Sequence, residues 1–164
     1  MQSGLRQAYL FAVGAVMLGV VLGGAALAQS SNPHVGAWKM NAAKSKFNTG
    51  PAPKSATTKI EAAGAGVKYT VDQVNGDGTV LHWEFTGNYD GKDNPVIGNS
   101  PYGDTTALTR INPTTVRLVS KKGGKITVTQ TSVVSSDGKT RTLTGKGTNV
   151  LGQPVDTVTL YERQ

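Results

Sequence analysis

Two arginines stand where strand alternation turns them toward an apolar face. In residues 104–111 the large apolar side chain at the centre is Leu108, and a period of two carries Thr106 and Arg110 to its side. Leu143 does the same for Arg141. An inward guanidinium at a strand end can snorkel to water or pair with a carboxylate. Held inside without a partner it is costly, and an anionic ligand becomes its natural counter-ion. Both outcomes are open from the sequence. His82 and Glu84 share a strand face and could pass a proton, but they lie opposite Leu81, Trp83 and Phe85, on what should be the wet side. Residues 73–84 approach the spacing of a calcium loop, with Asn75, Asp77, Gly78 and Glu84 in position. Gln73 stands where the first Asp is required and the flanks are strands, so these are turn residues. His34 belongs to a leader, and two histidines without any cysteine do not compose a metal site. There is no G-x-S-x-G elbow, and residues 98–103 lack the Lys and helix of a phosphate loop. The expectation is a non-enzymatic protein with no cofactor and no metal.

The elements that must position these residues are strands. Val67, Tyr69 and Val71 alternate with polar residues, Asn75-Gly76-Asp77-Gly78 turns the chain, and Leu81, Trp83 and Phe85 alternate in return. Later segments repeat the pattern around turns at Asn112-Pro113, Gly123-Gly124, Ser135 to Gly138 and Gly152 to Pro154. A Pro-broken stretch at residues 42–55 cannot hold a long helix, and residues 93–103, rich in Pro, Gly and Asn, read as a long loop or an interrupted edge strand. Nine or ten short strands in sequence, many carrying alternate Thr, make an all-β chain. Short consecutive turns favour an antiparallel up-and-down β-barrel of about 8–10 strands, which removes sheet edges; a β-sandwich is the alternative. The inner set is expected to comprise Ile60, Val67, Val71, Leu81, Val116, Leu118, Ile126 and Val128.

Ahead of this train lies a short basic start with Arg6, an apolar run over residues 9–27 and a closing Ala26-Leu27-Ala28. That is the form of an export signal cleaved before Gln29; a retained membrane anchor is the competing reading of the run. The expected organisation is a cleaved signal at 1–28, a loose leader at 29–34 and one barrel domain at 35–164, periplasmic or secreted, with no stable membrane span after cleavage. The chain carries a net charge of +7, only one of which leaves with the signal. Its lysines are spread along the strands, so anionic envelope polymers are conceivable partners. The few scattered aromatics do not make a nucleic-acid stacking platform, and nucleic acid is not expected.

Gly36-Ala37-Trp38-Lys39-Met40 resembles the opening strand of the calycin superfamily, the lipocalins and fatty-acid-binding proteins, whose G-x-W places a Trp as a plug at one end of the barrel. Thr159-Leu160-Tyr161-Glu162-Arg163 is similar to the closing strand of the fatty-acid-binding branch. Trp38 to Phe47 also resembles the W-K-x-N-x-x-K-S-K-F opening of small exported bacterial lipocalin-like proteins. The resemblance implies a barrel with Trp38 as plug and a small amphipathic ligand inside. It departs from the fatty-acid-binding pattern at Thr159, where an Arg is usual, in having no room for a helical lid, and from lipocalins in having no disulfide. It would also turn Thr159 and Tyr161 inward, whereas Val158 and Leu160 argue for the other face; the last register stays open.

Two functions follow. In one, the barrel holds an amphipathic or apolar ligand against Tyr69 and Trp83, with Arg110, Arg141 and Tyr161 available to an acid group where the ligand is anionic. In the other, the barrel is filled by its own side chains and acts as a structural or interaction module of the cell envelope. An internal void of ligand size would favour the first.

Overall fold

The computed structural model describes residues 32–164; the expected signal at 1–28 and the start of the leader lie outside the described residues. Alternation becomes burial as the sequence implies. In β4 (Gly66–Val74) Val67, Tyr69 and Val71 are buried, and in β5 (Val80–Gly87) Trp83 and Phe85 are. The two strands pair with Tyr69 opposite Phe85 and Val71 opposite Trp83. The Tyr69 and Phe85 rings stack 4.9 Å apart, a cross-strand aromatic pair that pins the register. Asp77, expected as turn chemistry, accepts the Thr79 N–H at 2.8 Å within that turn.

The remaining strands are β1 (Gly36–Met40), β2 (Lys46–Phe47), β3 (Ser55–Ala63), β6 (Asp90–Pro95), β7 (Ile97–Gly98), β8 (Thr105–Asn112), β9 (Thr115–Lys122), β10 (Lys125–Val134), β11 (Thr140–Thr148) and β12 (Pro154–Arg163). The sole helical element among the described residues is a three-residue 3-10 turn, Ala42–Lys44. Every strand pair is antiparallel, in the order β6-β8-β9-β10-β11-β12-β1-β3-β4-β5-β7, with β2 beside β12. The two ends of this path are consecutive in the chain. β6 pairs with β8, and β7, two residues on, pairs with β5 through Trp83–Gly98 and Glu84–Ile97. Pro95 has no N–H for a continuous ladder, and the chain changes partner at Val96. One interrupted strand therefore closes the sheet into a barrel, in the segment where the sequence suggests a loop or a broken strand. The result is an all-β, up-and-down barrel of twelve strand segments; the sandwich alternative does not apply.

One end of the barrel is closed. Trp38, Ile60, Val67, Leu108, Val116 and Val134 pack there. Below them the leader is not loose over residues 32–34, contrary to expectation. His34 is fully buried, with Nε2 3.1 Å from the Thr114 carbonyl and Nδ1 3.4 Å from Ser132 Oγ. Asn32 donates to Tyr89 Oη at 2.7 Å, and Trp38 Nε1 donates to the His34 carbonyl at 2.9 Å. A sequence scan misses this anchoring because polar tertiary contacts have no local period.

One further expectation is corrected and one open register is decided. Ile126 is 66% exposed rather than inward, because the register shifts by a bulge between Ile126 and Val128 and turns the strand's first residues over. In β12 the inner face is Thr159 and Tyr161, both buried, while Val158 and Leu160 face out and stay half-buried. Tyr161 lies between Arg141 of β11 and Met40 of β1 in the ladder, and both of those point inward.

Candidate functional site

Above the packed end the barrel holds a cavity of about 800 Å³. Its mouth lies among Thr49 to Pro53, Asn75 to Thr79, Asn99 to Tyr102 and Asn149 to Pro154. Met40, Phe47, Val71, Leu81, Trp83 and Phe85 form much of its apolar wall, and Trp83 meets Tyr102 edge-on at 6.1 Å between centroids. Thr106, Ser120, Gln130, Thr157 and Thr159 line β8 to β12, with Leu118, Leu143 and Val155 between them.

The deep end of the cavity is polar in one place. Arg141, Tyr69 and Tyr161 all line it, and Arg141 is only 2% exposed. Its Cζ sits 4.4 Å from the Tyr161 ring centroid and 5.7 Å from that of Trp38, so two aromatic faces hold the cation from below and beside. Among the described residues, Arg141 Nε and Nη2 and the Tyr69 hydroxyl are buried without a hydrogen-bond partner. Burial lowers the Arg141 pKa, and Tyr161 and Tyr69 raise it in part. Burial lifts the Tyr69 phenol above its ordinary range, with Arg141 pulling it back. Tyr161 is raised by burial and drawn down by Arg141 and Thr58. Both phenols thus stay protonated at neutral pH and can donate. A guanidinium with free N–H groups beside two neutral phenols can hold a carboxylate or sulfate by charge-assisted hydrogen bonds.

The residues singled out from sequence separate here. Arg141, Tyr69, Trp83 and Tyr161 come together around one cavity, and Trp38 lies beneath it as a buried plug. Arg110 is not among the lining residues. Its Cζ stacks 3.9 Å over the Tyr89 ring, and its Nη1 donates to the Pro113 carbonyl at 3.4 Å. It follows Leu108 toward the closed end, where a long side chain reaches the rim. His82 and Glu84 face outward as expected, His82 Nδ1 lying 2.6 Å from Asp72 and Glu84 2.7 Å from Lys68 Nζ. Sequence reasoning did not single out Gln130, Thr157 or Tyr102. Alternation from Val128 would have found Gln130, and Thr157 follows from Tyr161 once the β12 register is known.

A meander of antiparallel strands closed on itself, with Gly-x-Trp at its plugged end and a cavity open at the other, is an up-and-down β-barrel with room for a guest inside. No family model matches the chain, and no curated protein matches it. Among solved structures it is similar to zebrafish ileal bile acid-binding protein complexed with cholic acid, with 12% identity and a TM-score of 0.45 over 80% of this chain and 99% of that one.

Proposed function

We propose that this protein binds a small amphipathic acid, non-enzymatically, with its apolar body in the barrel and its acid group on Arg141, Tyr69 and Tyr161. The observation that carries the reading is Arg141: a nearly fully buried guanidinium at the deep end of a cavity, with two of its nitrogens unpartnered among the described residues. A buried cation without a counter-ion is destabilising, and a protein that retains one at the base of an open cavity gains most when an anion arrives. From Tyr161 to Val155 the strand runs six residues, about 20 Å, which is room for an extended body between head and mouth. A barrel filled by its own side chains would have no such cavity, so the packed-module reading loses its basis. The export signal read over residues 1–28 makes the proposed site of action periplasmic or extracellular.

The test is a fluorescence titration with an anionic fatty-acid-like probe, with Trp83 in the cavity wall as internal reporter. Arg141→Gln should weaken binding at least tenfold, about 1.4 kcal/mol, while the outward-facing Arg117→Gln should leave it unchanged. Equal affinities in parent and Arg141→Gln, or no saturable binding at all, would overturn the reading.

A further inference from the structure

Part-way up the cavity three residues on adjacent strands stand side by side. Gln130 of β10 is opposite Gly145 of β11, and Gly145 is opposite Thr157 of β12. Gln130 and Thr157 both line the cavity, across the barrel from the aromatic wall that Trp83 of β5 forms. Gln130 is 9% exposed, yet among the described residues no protein group hydrogen-bonds its amide. Thr106 and Ser120 nearby differ, because their hydroxyls are bonded to each other at 3.3 Å. An amide turned to the cavity with no protein partner is available to a guest, whereas an apolar side chain there would continue the burial of Val128 and Val134 on the same strand face.

Gly145 keeps the space between amide and hydroxyl open. A Cβ at that position would crowd Thr157 Oγ1 at 3.1 Å and touch Gln130 Cγ at 3.4 Å, so it would occupy the space between the two groups. Without it the row forms a notch: an amide on one side, a hydroxyl on the other and bare backbone between. Each flanking group can both donate and accept. An alcohol in the notch can accept from one and donate to the other.

We propose that the Gln130–Gly145–Thr157 notch recognises a hydroxyl on the middle of the ligand, so that the ligand class is an amphipathic acid oxygenated along its body. This rests on the assignment of the acid group to Arg141. Gly145 stands four positions after Arg141 in β11, about 13 Å of strand, which places the recognised oxygen well away from the acid. A site built to hydrogen-bond a hydroxyl rejects the analogue that lacks it, since the analogue's chain covers the amide and leaves it unpaired. The cavity is open to water at its mouth, which limits the discrimination to tens rather than thousands.

The experiment is competition of octadecanoic, 2-hydroxyoctadecanoic and 12-hydroxyoctadecanoic acids against the fluorescent probe on the full chain. The 12-hydroxy acid should bind at least tenfold more tightly than the other two. Gln130→Leu should reduce that preference to within twofold, chiefly by tightening octadecanoic acid, which then leaves no amide unpaired, and its urea unfolding midpoint reports that the variant is folded; Thr157→Val provides the second variant if it is not. Equal binding of all three acids to the parent overturns the notch and leaves the Arg141 reading standing. Retained preference in both folded variants overturns it as well. Absence of binding by any acid overturns both.

Discussion

The Arg163 guanidinium lies over the indole of Trp38, its Cζ 4.2 Å from the ring centroid. The same group donates to the carbonyls of Pro33 at 2.7 Å, Val35 at 2.8 Å and Gly138 at 2.6 Å, so the last strand, the leader and the β10–β11 turn are tied beneath the barrel by one planar cation. Trp38→Ala should remove a large buried aromatic together with this platform and destabilise by about 3–5 kcal/mol. Urea denaturation gives the value; a midpoint equal to that of the parent would mean the plug is dispensable.

Gly36 is the other half of the Gly-x-Trp opening. Its φ is +143°, and a Cβ there would collide with Arg163 Nη1. Gly36→Ala therefore combines backbone strain with a displaced guanidinium and should cost about 2–3 kcal/mol. Arg163→Ala in the same background should relieve part of that cost, so a double-mutant cycle that is strictly additive would refute the contact as its source.

His34 links the floor to pH. Its pKa is lowered to about 4, first by burial and then by Arg141, with Arg110 and Arg163 acting in the same direction and the Thr114 carbonyl opposing them. The unfolded chain takes up this proton near pH 6.5 and the folded chain only near pH 4, so the stabilising difference is present above 6.5 and is lost as pH falls through that window. Between pH 7.5 and pH 5 the loss should be about 2 kcal/mol. Unfolding midpoints at the two pH values measure it, and His34→Gln should flatten the slope.

Arg141 sets stability against binding. Arg141→Met nearly keeps the volume and removes a buried charge, two of whose nitrogens have no partner among the described residues, so the ligand-free protein should gain about 1–2 kcal/mol while acid binding falls more than tenfold. Loss of both stability and binding would instead make the cation–aromatic contacts with Tyr161 and Trp38 the reason for the arginine.

Export is tested by N-terminal sequencing of protein from an envelope fraction. A mature terminus at Gln29 is expected; Met1 retained in membranes would make the apolar run over residues 9–27 an anchor.

Alternation along residues 67–86 was enough to define a hairpin, its inner residues Tyr69 and Trp83, and its outer pair His82 and Glu84. The same reasoning put Arg141 on the face of Leu143, where the structure has it. These succeed because a period of two is local and each strand reports its own faces. Which face is inside is not local when apolar residues occupy both. In β12 Val158 and Leu160 oppose Thr159 and Tyr161, and the choice was made by pairing with Arg141 on one side and Met40 on the other. Ile126 was turned out by a bulge, and Arg110, on the expected face, was carried past the cavity by its height along the barrel. Depth, like the burial of His34 and the notch at Gly145, exists only between strands. It comes from closing the sheet, a long-range event at Val96 that aligns residues far apart in the chain and leaves no period in the sequence.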